Sequence, residues 1–320
     1  MEKQELIFIR FRESIKSASS FTQRVADCLS ISYDAAYRRI QGLAKLNVDE
    51  AMKLAMEGQF SLDNIMVNSE QRTALGIATT RVNSMDTLKK YLQETISNLS
   101  ILGKDGVQLF YSAKDIPIYH HFDESELSRF KIYVWMQLLD PNSDNKPFVD
   151  FHLPLDIKQQ IKEISRLISH FHSVEIWNDT TISSSLKQIQ YYHESGFLTQ
   201  QTAIALCADL EHCLKTIESE LKTDKLEIYY NELLIMTNNS MAIKHNRPVS
   251  GFVTMTMLGY IRFTATHMLQ QQYQYFDHQM KQSMSMTHAN MKDRKKFFQK
   301  MNQKINALRL NIERYELLDF

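Results

Sequence analysis

The chain has little that interrupts or cross-links a backbone. Eight glycines and five prolines occur in 320 residues, well under the roughly 12% that ordinary usage gives the two together. Long elements without interior turns follow, and helices are their expected form. Cysteine is scarce as well, with Cys28, Cys207 and Cys213 alone. The odd number and the lack of a Cys-x-x-Cys pair exclude a zinc ribbon and argue against a disulfide framework. Such usage fits a reducing compartment. Charge of one sign is also missing. Lys plus Arg is 37 and Asp plus Glu is 37, which excludes a strongly basic coat but not a local basic patch. No apolar run reaches the roughly 18 residues of a membrane span. The start, Met1 to Glu5, has no apolar segment behind a basic head, so no signal peptide is expected. The expectation is a cytoplasmic chain with no membrane partner.

What is present is enough apolar material for packed cores: 43% hydrophobic residues against 23% charged. The length suits about two domains. Charge is unevenly placed along it. Residues 281–314 hold nine basic side chains against Asp293 and Glu313. Residues 205–235 hold seven acids against Lys215, Lys222 and Lys225. Two readings stay open for this asymmetry: internal pairing, or a surface that meets a polyanion or another subunit.

Hydrophobic spacing predicts five short helices before residue 70. Ile7, Phe11 and Ile15 recur every fourth position in the first. Ser19 or Ser20 caps a second over about 21–29, and Ser32 caps a third over 33–41, which Gly42 ends. Asn47 opens a fourth to about 58, and Ser61 caps a fifth. Beyond residue 70, helices are expected near 84–101, 125–139, 155–171, 181–194, 199–223, 252–283 and 288–315. Residues 107–112 and 226–236 read as strands, and 73–82 as a strand or a linker. The expected fold is therefore mainly α. It comprises an N-terminal five-helix domain over 1–68 and a large, mostly helical regulatory or oligomerisation domain over 69–320, with a minor β component.

Residues 22–42 carry a mechanism. Two helices that cross closely need a small residue at the crossing, and Ala26 supplies one. Ser30 and Ile31 supply a tight turn and an apolar plug. The third helix must then bury one face and offer the other to a major groove. Tyr33, Ala36, Tyr37 and Ile40 share a face at helical spacing and are expected inward. Asp34, Ala35, Arg38 and Arg39 are expected outward. Arginine reads guanine through two parallel hydrogen bonds, so Arg38 and Arg39 are the first candidates for base or phosphate contact. Ala35 suits a thymine methyl, and Asp34 suits cytosine N4 or a bond that holds Arg38. Gln23 and Lys45 are placed for phosphates.

These residues resemble the Cro/CI-repressor-like (XRE) helix-turn-helix family from about Leu6 to Met66. Thr22-Gln23, Val25-Ala26, Leu29 to Ser32, Gly42, Leu46 to Ala51 and Ser61 to Asp63 fall in the family's order and spacing. The resemblance implies a lambda-repressor-like five-helix fold that binds double-stranded DNA, usually as a homodimer. The family usually has Gly where this chain has Ser30. It buries an aliphatic residue where Arg39 stands, next to an acid where Ile40 stands. The apolar face is thus rotated by about one residue, which leaves Tyr33 open to either side. The candidate DNA-contacting set is Gln23, Ser32, Tyr33, Asp34, Ala35, Arg38, Arg39 and Lys45. The second domain looks similar to the long C-terminal regions of some large bacterial helix-turn-helix proteins. The likeness rests on Ala113 to Phe122, Glu175 to Asp179 and Tyr229 to Glu232, and it implies no activity.

Other constellations read as structural. His120, His121, Asp123, Glu124 and Glu126 suit a capped loop better than a metal site, and Cys207 and Cys213 suit a core. No phosphate loop, nucleophile elbow or His-Glu-x-x-His pattern is present. The expectation is a non-enzymatic, cofactor-free transcriptional regulator. A protein-interaction module and a sensor of a small-molecule effector remain its alternatives.

Overall fold

The computed structural model describes residues 3–14, 20–58, 60, 62, 65, 76–103, 105–143, 146–233 and 238–315. The chain divides into two compact units, Met1–Leu75 and Gly76–Phe320. The expected boundary at 68/69, and most of the expected fifth helix after Ser61, lie outside the described residues.

The first unit holds α1 (Lys3–Ser14), α2 (Phe21–Leu29), α3 (Tyr33–Ile40) and α4 (Val48–Glu57). Local chemistry starts each of the last three. Ser20 accepts from the Gln23 amide at 3.2 Å, and Ser32 from the Ala35 amide at 3.3 Å. Asn47 and Glu50 accept from each other's backbone amides at 2.8 and 3.1 Å, closing a capping box on α4. Phe11, Val25, Ala26, Leu29, Ala36 and Leu54 form the core. Ala26, expected at the α2–α3 crossing, is buried in this core.

The second unit is an α/β fold, and this overturns the expected mainly α domain with a minor β component. An eight-stranded mixed sheet runs in the order β1-β7-β6-β5-β2-β3-β4-β8. Its strands are β1 (Gly76–Ala78), β2 (Val107–Ser112), β3 (His172–Trp177), β4 (Leu226–Tyr230), β5 (Ser240–His245), β6 (Arg247–Thr254), β7 (Tyr260–Phe263) and β8 (Met284–Ser285). Strands β2, β3 and β4 are parallel neighbours, with Tyr111 opposite Glu175 and Glu175 opposite Ile228. The remaining pairs are antiparallel.

The helices are α5 (Met85–Ser100), α6 (Glu126–Leu139), α7 (Leu155–Ile168), α8 (Ser183–Glu194), α9 (Gln200–Glu220), α10 (Thr266–Lys281) and α11 (Met291–Tyr315). Two crossovers join the parallel strands, through α6 and α7 and then through α8 and α9. Parallel neighbours need such connections. Helices α6, α8, α9 and α11 pack on the face that carries Tyr111, Trp177, Leu226 and Ile228. Helix α10 covers Phe110, Val174, Ile176 and Ala242 on the opposite face through Phe276. The helix expected over 252–283 is three elements, because residues 251–263 pair as β6 and β7 around a turn at Gly259. The oppositely charged stretches meet within this unit. Arg309 pairs with Glu211 at 3.3 Å, and Lys300 with Glu232 at 2.8 Å.

Candidate nucleic-acid interface

Helix α3 is presented by the turn that precedes it. Ser30 takes φ 55°, ψ 45°, the left-handed region that favours glycine. The Ile31 amide then reaches back to the Ala26 carbonyl at 3.0 Å and closes the end of α2. Ser32 caps α3, so its hydroxyl is already engaged by the Ala35 amide.

The inward side of α3 is not the one expected. Ala36 is fully buried and Ile40 half-buried. Tyr37, expected inward, and Tyr33, left open to either side, are each 49% exposed. Arg39, expected outward, is tucked against α4. It reaches the Glu50 carboxylate at two points, Nε to Oε2 at 3.0 Å and a terminal nitrogen to Oε1 at 2.7 Å. It also donates to the Ala35 carbonyl at 3.2 Å. Burial opposes the Glu50 charge, but the Arg39 guanidinium and the Asn47 amide hold its pKa below the ordinary carboxylate value. The core-facing set is thus Ala36, Arg39 and Ile40. A long cation fits there because its charge is answered by Glu50 and its stem is apolar.

The outward face is Tyr33, Asp34, Tyr37 and Arg38, all exposed. Asp34 and Arg38 form no ion pair with a described residue, so both heads face solvent. Ala35 is half-buried. Gln23 is exposed and bonds Asp27 at 2.8 Å, while Lys45 is exposed in the loop after α3. That loop is latched from α1. The Gln4 amide donates to the carbonyls of Arg39 at 2.7 Å and Ala44 at 2.8 Å, and its oxygen accepts from the Leu46 amide at 3.0 Å. Sequence reasoning missed Tyr37 and Gln4. Placing Arg39 on the buried side, where the family resemblance already put an aliphatic residue, brings Tyr37 out. Nothing local marks Gln4, whose partners lie about forty positions away.

In the second unit, the stretches 113–122, 175–179 and 229–232 come together at the carboxyl ends of β2, β3 and β4. The Ala113 amide bonds the Ile176 carbonyl at 2.9 Å, and the Asn231 amide bonds the Trp177 carbonyl at 3.0 Å. Glu175 is fully buried among donors: Tyr119 at 2.9 Å, His120 at 2.7 Å, Ser173 at 3.0 Å and Trp177 Nε1 at 2.7 Å. Burial disfavours both charges, yet their attraction outweighs it. The His120 pKa lies above its ordinary value and the Glu175 pKa below. Oε1 accepts from Tyr119, His120 and Ser173 and Oε2 from Trp177 Nε1, so four donors hold the buried charge in a core network. No group of ligands suited to a metal ion occurs among the described residues.

Among the described residues, no helix is long and apolar enough to cross a membrane. No family model matches the chain, and no curated protein or solved structure matches it either.

Proposed function

We propose that the chain is a sequence-specific DNA-binding transcriptional regulator whose α3 reads the major groove. The observation that carries this reading is the outward face of α3: Tyr33, Asp34, Tyr37 and Arg38 stand together in solvent on a helix held rigid by its cap, by Arg39–Glu50 and by the Gln4 latch. A rigid helix with a free polar and aromatic face suits base-edge contact. Arg38 takes the role of guanine reader, and Tyr33 and Tyr37 supply apolar contact to thymine methyls or sugars. Gln23 and Lys45 take phosphates, and Ser32 and Ala35 line the approach. A homodimer would place two such helices on half-sites about 34 Å apart. Three free thiols are in keeping with a reducing, cytoplasmic setting.

Selection of bound fragments from a random DNA pool tests the reading. An enriched, two-fold symmetric motif that is lost in Arg38→Ala supports it. Absence of enrichment by the folded protein overturns it.

One observation favours a second reading, a protein-docking module. Val48, Met52 and Met56 form an exposed apolar stripe along α4, at 73%, 49% and 76%. Salt separates the two, because phosphate contact makes affinity fall steeply with ionic strength and apolar docking does not.

A further inference from the structure

The basic stretch 281–314 is only partly explained by the fold. Lys281 pairs with Asp277 at 2.6 Å. Arg294 donates to the carbonyls of Met286 at 2.9 Å and Thr287 at 2.7 Å. Lys300 bridges Asp179 at 2.5 Å and Glu232 at 2.8 Å. Lys304 bonds the Asp179 carbonyl, and Arg309 pairs with Glu211. Lys292, Lys295 and Lys296 do none of this. All three are exposed, and none has an ion pair or side-chain hydrogen bond with a described residue.

Their placement opposes what a helix prefers. They occupy the first two turns of α11 at i, i+3 and i+4, so three like charges share one face. They also sit at the N-terminal end, where the helix dipole disfavours cations. The acid of the first turn, Asp293, bonds Asn290 at 2.8 Å and helps close the cap. The opposite side of α11 buries Phe297, Phe298, Met301, Ile305 and Leu308. Packing therefore holds the helix and aims the lysine face at solvent. A local preference broken without compensation marks a site of function more often than of stability.

We infer that Lys292, Lys295 and Lys296 form a phosphate-contacting surface for duplex DNA, on an element outside the helix-turn-helix. The inference rests on the DNA-binding reading above. Residues 1–67 carry nine basic and nine acidic side chains. That balance supplies no surplus charge, whereas sequence-independent affinity for DNA comes almost wholly from cations on phosphates. The unpaired lysines of α11 supply what the reading helix lacks.

The test is the salt dependence of full-chain binding to a duplex of random sequence, over roughly 50 to 200 mM salt. The variants are Lys292→Gln/Lys295→Gln/Lys296→Gln and the matching triple Arg. Glutamine keeps helix propensity and arginine keeps charge. The expected result is a slope of log K against log salt shallower by about 2–3 in the Gln triple, at about 0.9 per phosphate contact. The Arg triple keeps the parent slope, and the motif selected from a random pool is unchanged in both. An unaltered slope in the Gln triple, with the selected motif intact, overturns this inference and leaves the reading of α3 standing. Random-duplex binding that is weakened in the Gln triple, with no motif selected by the parent chain, does the reverse. No duplex binding at all overturns both. Binding of the parent chain, but not the Gln triple, to anionic lipid vesicles in that case reassigns the lysines to a membrane surface.

Discussion

Arg39 on α3 grips Glu50 on α4 through two nitrogens, at 3.0 and 2.7 Å, and Glu50 at the same time caps α4 through the Asn47 amide. One carboxylate thus ties the orientation of the candidate reading helix to the start of the helix that follows. Arg39 is a positioning residue here, and its neighbour Arg38 is the exposed one.

The two arginines are expected to separate stability from selectivity. Arg39→Ala leaves the half-buried Glu50 without its partner and lowers the stability of the first unit by about 1–2 kcal/mol. Arg38→Ala changes stability by under about 0.5 kcal/mol but costs about 1–3 kcal/mol at one base position. Urea denaturation beside binding to single-substituted duplexes reads both. Equal stability losses in the two variants would refute the division of roles.

Ser30 is expected to be improvable. A left-handed non-glycine residue costs about 1–2 kcal/mol, and glycine gives back about 0.5–1 in chain entropy. Ser30→Gly should therefore stabilise the first unit by about 0.5–1 kcal/mol, with no loss of DNA binding. Thermal melting measures the gain, and Ser30→Ala, which keeps the strain, should show none.

The Glu175–His120 pair is expected to give the second unit a pH-dependent stability. The His120 pKa is raised in the folded chain, so its contribution is complete below its ordinary 6.5 and is lost as pH climbs through the raised value. The Glu175 pKa is lowered, so its contribution is complete above its ordinary 4.5 and is lost as pH falls through the lowered value. Glu175→Ala strands four donors and should cost about 3–5 kcal/mol. Denaturation midpoints across pH, for the parent and His120→Gln, check the alkaline arm: it should flatten in the variant.

All three cysteines are expected to react slowly with thiol-directed reagents in the native chain. Burial, followed by the neighbouring Glu57, pushes the Cys28 thiol up to about 12. Burial alone is the leading cause at Cys207, up to about 11, and at Cys213, up to about 12. Thiolate is the reactive form. A disulfide-exchange reagent at mildly alkaline pH should label the chain slowly until denaturant is added. Rapid labelling of a native thiol would contradict these surroundings.

Local chemistry decided the first unit. Ser20, Ser32 and Asn47 cap helices through atoms three residues away, and Ala26 and Gly42 act within their own turns, so spacing alone was enough to place α2, α3 and α4. Which face of α3 is buried was not legible, because Arg39 becomes a core-side residue only once Glu50 stands across from it. Tertiary structure also decided the second unit. Residues 240–263 hold Met, Ala and Leu that suit a helix as well as a strand, and their pairing with β2 joins positions more than a hundred apart, as Phe110 with Ala242. Strand β3 shows the same dependence: Tyr119 and His120, which bond the buried Glu175, lie more than fifty positions before it in the chain. Caps and turns act over three or four residues and leave a mark in the sequence. Sheet pairing and buried ion pairs are contacts between distant segments, and only the folded chain brings their partners together.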